Sequence, residues 1–408
     1  MPQQQSGKNH GQNGPGPGVP PVRVVHVSDC YLPRTGGIET QVHGLAVAQQ
    51  LAGHKPVVIT ATQPEPTSLN GNSTSADNST IGTVPVVRLG VPLPYDLPIT
   101  HRVGGSLRRA FGDDTDVVHV HAGLVSPFAW PALRTAVRAG LPTVVTVHSL
   151  WSQWSHAFAL ADAAVRWRSW PVAWTAVSEA AAGPLRHALR GHHDVDVLSN
   201  GIDLAYWRPT SAEASARRSR PADEVTVIAV GRMAARKRGQ ALVEVLADTR
   251  ARLPEAVRMR AIIVGDGPER RTIERSLTRR GMDWVECTGW QTRDQIRAHF
   301  AESDIFISAG RLESFGIAAL EARTFGLPVV ALDASGVTEF VTDRQEGMLA
   351  GDDEGLADAV VRLVTDRRLL ADITTYNTDI APAYGWSTMV ERTDEVYRRA
   401  NELMTPQR

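Results

Sequence analysis

The sequence predicts an α/β protein with two doubly wound, parallel-sheet, Rossmann-like domains. The first observation is a series of short apolar runs, each typical of a strand buried on both faces, with helical patterns between them. The second is that this alternation stops in a polar stretch, residues 208–224, and restarts at residue 225. Because strands that alternate with helices form parallel sheets covered on both sides, we expect one such sheet in each half.

The first half is predicted to be a domain over residues 22–207. It follows a Gln-, Gly- and Pro-rich start that predicts a disordered tail over 1–21. A strand, "VRVVHVS", leads through a glycine-containing loop to a helix predicted from Ile38 to Leu51. Further strands are predicted at "PVVIT", "VPVVRL", "DVVHVH", "PTVVTVH", "AWTAVS" and "DVDVLS".

The second half is predicted to be a domain over residues 225–384, joined to the first by a linker over 208–224. Its strands are predicted at "VTVIAVG", "MRAIIVGDG", "DWVECTG", "SDIFISA" and "LPVVALD". The final amphipathic stretch, 385–403, is predicted to be a helix that packs back on the first domain. In such sheets ligands bind beyond the carboxyl ends of the strands, so we expect the two domains to face each other across a cleft.

Composition excludes several classes of protein. The chain has 43 Lys plus Arg against 44 Asp plus Glu, which gives no chain-wide field that would attract nucleic acid. Its two cysteines, far apart in the sequence, form no disulfide framework or zinc spacing, so a cytoplasmic location is expected. No run approaches the roughly 18 apolar residues that span a bilayer, which leaves peripheral membrane contact open.

A cluster of cations follows the first strand of the second half. "AVGRMAARKRG" places Arg232, Arg236, Lys237 and Arg238 before a helix. Positive charge at a helix N-terminus opposes the macrodipole unless an anion compensates it, so this loop predicts a diphosphate site. Lys237 is one of only three lysines in a chain whose other basic residues are arginines. A lysine at this position therefore indicates a specific role.

A second strand-to-helix loop, "VGDGPER", contains Gly265 and Gly267. A dinucleotide fingerprint, G-x-G-x-x-G, would require a third glycine where Arg270 stands. The pattern therefore favours a tight turn near a ligand, although a turn with no further role remains open.

The stretch "RLESFGIAALEA" combines acidic residues with a predicted helix start. A helix predicted from Phe315 to Phe325 would leave unpaired N–H groups near Ser314, Phe315 and Gly316, which is a phosphate site. Glu321 would accept hydrogen bonds from ribose hydroxyls, and Glu313 would reach a sugar on the other side of the diphosphate. These positions together describe a nucleotide sugar.

The first half offers candidate residues for the opposite side of the ligand. Gly36 and Gly37 form a possible anion-accepting loop, with Glu39 just beyond it. His121 and His148 end predicted strands and are candidate polar contacts, although a histidine at a strand end is usually a partner of nearby backbone. Glu39 and His121 are assigned to the acceptor side.

These stretches carry a family likeness over about residues 22 to 400. "GGIE", "GRMAARKR", "VGDGPER", "ESFGIAALEA" and "GLPVVA" resemble the retaining glycosyltransferases of family 4, which have the GT-B fold. The resemblance implies that Arg232 and Lys237 bind the diphosphate and that Glu321 binds the ribose. It also implies that Glu313 lies beside the donor sugar, and that His148 contacts the transferred sugar.

The resemblance further implies metal-independent transfer of a hexose, with no cofactor besides the substrate nucleotide sugar. Gly37 matches the loop that faces the phosphates, and the base is expected near Gly289 and Trp290. GDP-mannose is the first choice of donor by family analogy, with UDP-glucose, UDP-N-acetylglucosamine and UDP-galactose as alternatives. The expected acceptor is a glycan or a lipid-linked molecule.

The acceptor is the part that the resemblance does not define. The segment 151–174 holds five of the ten tryptophans and differs from many relatives. It can be core, an acceptor pocket or a membrane-facing surface.

Two functions of other classes remain open at this level. One is a nicotinamide-dependent oxidoreductase, because both halves are Rossmann-like, although the missing third glycine argues against it. The other is a non-catalytic nucleotide-sugar-binding protein.

Overall fold

The computed structural model describes residues 20–34, 36–63, 84–89, 103–151, 166–221 and 223–405. The predicted tail, apart from residues 20 and 21, lies outside these ranges, as do residues 152–165 of the Trp-rich segment.

The described strands form two parallel sheets, which confirms the predicted fold class. The first sheet has seven strands in the order β3-β2-β1-β4-β5-β6-β7, and the second has six in the order β10-β9-β8-β11-β12-β13. The strands are β1 (Arg23–Ser28), β2 (Lys55–Thr60), β3 (Val86–Arg88), β4 (Val117–Ala122), β5 (Thr143–Val147), β6 (Ala173–Ala176), β7 (Val195–Val197), β8 (Glu224–Val230), β9 (Arg258–Val264), β10 (Val285–Gly289), β11 (Ile305–Ser308), β12 (Val329–Leu332) and β13 (Gly347–Ala350).

Helices connect most of these strands. They are α1 (Gly37–Leu51), α2 (Val103–Phe111), α3 (Ala129–Arg138), α4 (Glu179–Leu189), α5 (Leu204–Trp207), α6 (Ser211–Arg218), α7 (Gly239–Arg252), α8 (Arg270–Arg279), α9 (Arg293–Ala301), α10 (Ile317–Thr324), α11 (Asp353–Thr365), α12 (Arg367–Asp379) and α13 (Trp386–Met404). Short 3₁₀ turns occur at Trp167–Ser169, Ala235–Lys237 and Gly336–Glu339.

The order of the second sheet defines a switch point. The chain runs outward from β8 through β9 to β10, and then returns to place β11 on the other side of β8. The loops that follow β8 and β11 therefore diverge at one place on the carboxyl edge, which is where doubly wound sheets bind ligands. Those two loops contain the cation cluster and the acidic stretch that the sequence singled out.

Two elements differ from what the sequence pattern led us to expect. Strand β13, "GMLA", was not predicted, because four residues with a glycine and no β-branched side chain carry little strand signal. The stretch 208–224, predicted to be a linker, contains helix α6. A capping box between Thr210 and Glu213 starts this helix, and the Glu213 carboxylate binds Arg297 of α9. The predicted domain boundary at this stretch stays a prediction.

The described residues form two compact units. One comprises those within Met1–Thr146, Ser169–Trp174 and Trp386–Arg408, and the other those within Val147–Arg168 and Thr175–Gly385. In the first unit, α13 packs on α1 and β4. Gly44 of α1 leaves room for the indole of Trp386, because a Cβ at position 44 would lie 2.2 Å from a ring carbon.

Three buried histidines lie on one face of the first sheet. His26 of β1 is in register with His119 of β4, and His121 follows two residues later on the same face. Their rings stack, with centroids 5.2 Å apart for His26 and His121 and 4.2 Å apart for His119 and His121. Burial lowers the pKa of His26 to about 4, so its imidazole is neutral at neutral pH.

A hydrogen-bonded chain connects these histidines to α1 and α13. The hydroxyl of Tyr397 accepts from Nε2 of Gln49 (2.9 Å) and donates to Nδ1 of His119 (3.0 Å). Oε1 of Gln49 accepts from Nε2 of His26 at 2.7 Å, which leaves His26 Nδ1 to accept from Nε2 of His121 at 2.9 Å. One proton assignment, with all three imidazoles neutral and protonated on Nε2, satisfies every one of these bonds.

We expect Tyr397→Phe to lower the free energy of unfolding by about 2 kcal/mol, measured by urea denaturation. The substitution keeps the ring but takes one hydrogen bond from each of two buried groups, which costs about 1–3 kcal/mol when a partner is lost. Tyr376→Phe is the matched control, because its hydroxyl accepts from Gln345 at the surface, and its change should stay within about 0.5 kcal/mol. Equal effects of the two substitutions would contradict this account of the buried chain.

Candidate active site

The loop between β11 and α10 presents backbone N–H groups at the switch point. Gly316 has φ +95°, which favours glycine, and it forms the N-cap of α10 without any side-chain cap. A Cβ at Gly316 would also lie 2.8 Å from a methyl group of Val337. The helix begins at Ile317, two residues later than predicted, because the backbone leaves the helical region at Gly316. The amides at this helix start therefore lie beside Glu313, as the sequence analysis expected.

Glu321 lies in the second turn of α10 without a hydrogen-bond partner among the residues that the structure describes. Burial raises the pKa of Glu321 to about 8, against a smaller lowering by the charge of Arg293. Glu321 is partly buried, and a largely desolvated carboxyl group with no partner lacks hydrogen-bond donors. A ligand with hydroxyl groups would supply them.

The loop after β8 brings one cation onto the acidic loop and leaves another exposed. Lys237 Nζ forms an ion pair with the Glu313 carboxylate, and both side chains are largely buried. Arg232 is exposed, and within the described ranges its guanidinium makes no hydrogen bond or ion pair. Arg238 differs from the expectation of a cationic clamp, because both its terminal nitrogens bind the carboxylate of Asp353 and it is thereby occupied in holding α11.

Gly265 and Gly267 hold the cationic loop through their backbone. Their φ angles are +136° and +155°, and Cβ atoms there would lie 2.0 Å from the carbonyl oxygen of Gly231 and 2.3 Å from that of Met233. The amide of Met233 also donates to the carbonyl of Asp266 at 2.9 Å. The two glycines are therefore needed because two loops meet backbone to backbone, and this packing positions the loop that carries Arg232.

Two residues that the sequence analysis missed support the loop that carries Glu313. The Ser178 hydroxyl, which caps α4, donates to the carbonyl of Ser314 at 2.5 Å. The amide of Gly336 donates to the carbonyl of Glu313 at 2.8 Å, and a Cβ at 336 would lie 2.3 Å from the Ser314 oxygen. Their only sequence signals were an ordinary helix cap and one glycine, and neither indicates a distant partner.

Phe315 anchors the same loop in an aromatic cluster. Its ring centroid lies 5.4 Å from that of Phe340 and 5.6 Å from that of Tyr384. Phe315 is fully buried, so its side chain is structural and only its backbone can face a ligand.

His148 follows β5 directly, one residue beyond the strand that was predicted to include it, and burial lowers its pKa to about 4. The imidazole is therefore neutral at neutral pH and has one donor and one acceptor nitrogen. It can exchange hydrogen bonds with a hydroxyl group without adding charge to the site.

In the first unit, Glu39 folds back onto the start of α1. Its carboxylate lies 2.4 Å from where a Cβ on Gly36 would be, and Glu39 is buried. Gly36 is extended, with φ −172°, so its lack of a side chain serves the approach of Glu39 and not a left-handed backbone. Gly37 is the first residue of α1.

His121, which the sequence analysis assigned to the acceptor side, is buried, and its role there stays a prediction. Strand β4 continues through Ala122, and His121 is 3% exposed within the hydrogen-bonded chain described above. Its side chain therefore packs in the first unit's interior, because the strand is one residue longer than the sequence suggested. The signal was ambiguous, since "HVHAGL" gives no clear strand end.

The same three histidines have nitrogens close enough to be considered as metal ligands. One nitrogen from each of His26, His119 and His121 lies within 4.8 Å of the others. Because the rings stack, their in-plane lone pairs lie in roughly parallel planes that do not favour convergence on one ion, and the nitrogens already exchange hydrogen bonds. This geometry fits a hydrogen-bonded core and not a metal centre.

Two family models match the chain, one in each half. "Glycosyltransferase Family 4" matches residues 35–206, and "Glycosyl transferases group 1" matches residues 224–366. The chain belongs to glycosyltransferase family 4. This glycosyltransferase is thus an enzyme that transfers hexosyl groups. It is neither an oxidoreductase nor a non-catalytic binding protein, the two alternatives that the sequence left open.

Curated relatives of the glycosyltransferase cover most of its length. A phosphatidylinositol N-acetylglucosaminyltransferase subunit of Arabidopsis thaliana is 28% identical over 406 residues, which cover 93% of this chain and 83% of that protein. The GDP-mannose-dependent alpha-mannosyltransferase of Mycobacterium tuberculosis is 28% identical over 373 residues, covering 86% of this chain and 90% of that one.

Solved structures confirm the GT-B fold of the glycosyltransferase. Anabaena Alr3699/HepE, crystallised with UDP and glucose, has a TM-score of 0.69 at 19% identity and covers 92% of this chain and 99% of its own. Sucrose-phosphate synthase from Thermosynechococcus elongatus has a TM-score of 0.70 at 20% identity, covering 93% and 99%. Among the described residues of the glycosyltransferase, no helix is both long and apolar enough to cross a bilayer.

Proposed function

We propose that this glycosyltransferase transfers a hexose, with retention of configuration, from a nucleoside diphosphate sugar to a hydroxyl group of a glycan or lipid-linked acceptor. The observation that carries the proposal is the arrangement at α10. Its uncapped start lies beside the Lys237–Glu313 pair, and Glu321, without a partner among the described residues, lies one turn further on.

The diphosphate would bind to Arg232, Lys237 and the amides around Gly316. Phosphate oxygens prefer cationic donors and helix N-termini, and the exposed guanidinium of Arg232 can provide a forked contact. Gly36 and Gly37 at the start of α1 are proposed to face the phosphates from the first unit, with Glu39 beside them on the acceptor side. Gly265 and Gly267 act by holding the loop of Arg232.

The two sugars of the donor would be held by the two glutamates. Vicinal ribose hydroxyls can donate to Glu321, whose carboxyl group has no other hydrogen-bond partner in the described part of the chain. On the other side of the diphosphate, Glu313 and the neutral His148 would bind hydroxyls of the transferred hexose. The base is proposed to lie near Gly289 and Trp290.

The reaction follows from these positions. The bond between the anomeric carbon and the diphosphate oxygen breaks, and its electron pair leaves with the nucleoside diphosphate. Lys237, Arg232 and the α10 amides stabilise the growing negative charge. The acceptor oxygen forms its bond on the face from which the leaving group departs, and its proton passes to the released phosphate. Two side-chain cations and the helix amides supply the positive charge, so we propose that no metal is needed.

The donor and acceptor are proposed from the relatives. GDP-mannose is the first choice, because relatives at 28% identity are GDP-mannose-dependent mannosyltransferases, one of which acts on a phosphatidylinositol monomannoside. UDP-N-acetylglucosamine is the second candidate, favoured by the phosphatidylinositol N-acetylglucosaminyltransferases. UDP-glucose and UDP-galactose follow. A glycolipid acceptor would place the enzyme in the cytoplasm, with peripheral contact at the inner face of the membrane.

A thermal-shift panel tests the donor site directly. We expect one nucleoside diphosphate and its sugar to raise the melting temperature, since ligand at 100 times its Kd adds about 2.7 kcal/mol of stability. The stabilising sugar nucleotide should then be consumed with phosphatidylinositol or its mannoside, and the product should keep the anomeric configuration by NMR. A protein that none of GDP, UDP and ADP stabilises would refute the proposed function.

A further inference from the structure

A planar cation lies against the backbone at the carboxyl end of β10. A Cβ on Gly289 would be 2.6 Å from Nη1, 3.0 Å from Cζ and 3.1 Å from Nη2 of Arg270. These distances place the guanidinium against the backbone of Gly289, in the space that a side chain at position 289 would occupy. Because Gly289 also has φ +75°, glycine is required both for the backbone and for the approach of Arg270.

Two acidic side chains hold Arg270 in that position. Nε donates to Glu274 at 2.8 Å, and Nη1 lies 3.5 Å from a carboxylate oxygen of Asp266. Nη2 makes no hydrogen bond within the part of the chain that the structure describes. The outer edge of the guanidinium, formed by Nη1 and Nη2, is therefore oriented and still has N–H groups to donate.

Arg270 lies beside a loop that leads toward the proposed ribose ligand. Glu321, the proposed ribose ligand, interacts electrostatically with Arg293 at the start of α9. Trp290 lies three residues before Arg293, in the loop that joins β10 to α9, and is 60% exposed. A ribose at Glu321 can thus direct its base toward this loop, where Arg270 covers Gly289.

We propose that Arg270 reads the nucleobase of the donor and selects guanine, an inference that rests on the proposed function. Guanine presents two adjacent acceptors, O6 and N7, and a guanidinium fork matches that pair with two hydrogen bonds. Adenine places a donor beside its N7 acceptor, and uracil places N3–H beside O4, so each offers Arg270 one acceptor next to a donor. The sugar nucleotide is therefore a guanosine diphosphate hexose.

Trp290 has a different role in the same subsite. An exposed indole provides a flat apolar surface for stacking, and stacking is tolerant of base identity because every base has a π-face. Trp290→Ala should therefore weaken binding of GDP and UDP by similar factors. Arg270→Ala should weaken binding of GDP alone, so the two variants separate general affinity from selectivity.

The test is calorimetric titration of the wild-type enzyme, Arg270→Ala and Arg271→Ala with GDP, inosine diphosphate, 7-deaza-GDP and UDP. Arg271 is the matched control, because it is the next residue of α8 and is exposed. In Arg270→Ala, the Kd for GDP and inosine diphosphate should rise about 10- to 100-fold, as expected for a lost bidentate contact, while that for UDP changes less than about twofold. Wild type should bind 7-deaza-GDP, which lacks N7, more weakly than GDP, and Arg270→Ala should bind the two equally.

Several results would overturn the inference while leaving the proposed function intact. These are a wild-type enzyme that binds UDP as tightly as GDP, and an Arg270→Ala variant that binds GDP normally or loses all nucleotides equally. Glu274→Gln provides a second test in case Arg270→Ala does not fold. It keeps Arg270 but weakens the contact that orients it, so it should weaken GDP binding selectively. Failure of the wild-type enzyme to bind any nucleotide would instead refute the proposed function, and this inference with it.

Discussion

Lys237→Ala is expected to lower kcat about 100-fold, which corresponds to about 3 kcal/mol of lost transition-state stabilisation. In the unliganded protein Lys237 is paired with Glu313, so its ammonium group is already fixed at the start of α10. Charge on the leaving diphosphate grows in the transition state, and a cation fixed beforehand stabilises it without reorganisation. Steady-state kinetics with the donor found by the thermal-shift panel measures this effect.

The Lys237–Glu313 pair makes a double-mutant cycle informative. Removing Lys237 alone leaves the Glu313 carboxylate without its cation, beside the proposed site of the donor phosphates. The combined Lys237→Ala and Glu313→Gln variant should therefore lose less than the product of the two single losses. Lys55→Ala is the control, because Lys55 is an exposed lysine at the start of β2. A folded Lys237→Ala enzyme with wild-type turnover would remove Lys237 from the mechanism.

The sheets could be predicted from the sequence because their strands are buried on both faces. In β1, for example, Val24, Val25 and Val27 are fully buried, and such a continuous apolar run is typical of a strand in a covered parallel sheet. Helix α6 carried no comparable signal, because polar contacts hold it. Arg217 of this helix is buried, and its guanidinium donates to the carbonyls of Phe325 and Phe300. Polar packing of this kind depends on partners about 80 or more residues away, which periodicity does not reveal.

Candidate site residues could be predicted where a residue type is unusual for its surroundings and therefore indicates a specific role. The sequence singled out Lys237 and Glu321 as candidates in this way, one as a lysine in an arginine-rich chain and the other as a glutamate within an apolar helix. The sequence could not distinguish Arg232 from Arg238, since the difference lies in Asp353, which binds Arg238 from α11. It also could not separate an exposed strand end from a buried one, and this is why the burial of His121 was not foreseen.

Glu321→Gln is expected to stabilise the unliganded enzyme by about 3 kcal/mol at pH 7. Burial raises the pKa of Glu321 to about 8 from 4.5, so the folded state keeps a proton that the unfolded chain releases. Below pH 4.5 both states are protonated and the carboxyl group costs nothing. As the pH rises toward 8, stability falls by about 1.4 kcal/mol per unit, and the amide of the variant, which does not ionise, avoids this loss.

Urea denaturation of both proteins between pH 5 and pH 9 measures this difference. The advantage of the variant should grow up to about pH 8 and then level off. Glu313→Gln is the control with the opposite sign, because it removes the partner of Lys237 and should lower stability. A Glu321→Gln protein whose stability follows that of the wild type at every pH would show that this carboxyl group is not strained.

The same substitution should weaken nucleotide binding, which explains why a destabilising residue is present. Two ribose hydroxyls that donate to an ionised carboxylate are worth more than the same contacts to an amide, so the Kd for the diphosphate should rise about 10-fold or more. A 2′-deoxy nucleotide should bind the wild type as weakly as it binds Glu321→Gln. Binding should also release a proton near pH 7 in the wild type and none in the variant. Glu321 would thus lower the stability of the unliganded enzyme, and the ribose would restore that stability by donating the hydrogen bonds that this carboxyl group otherwise lacks.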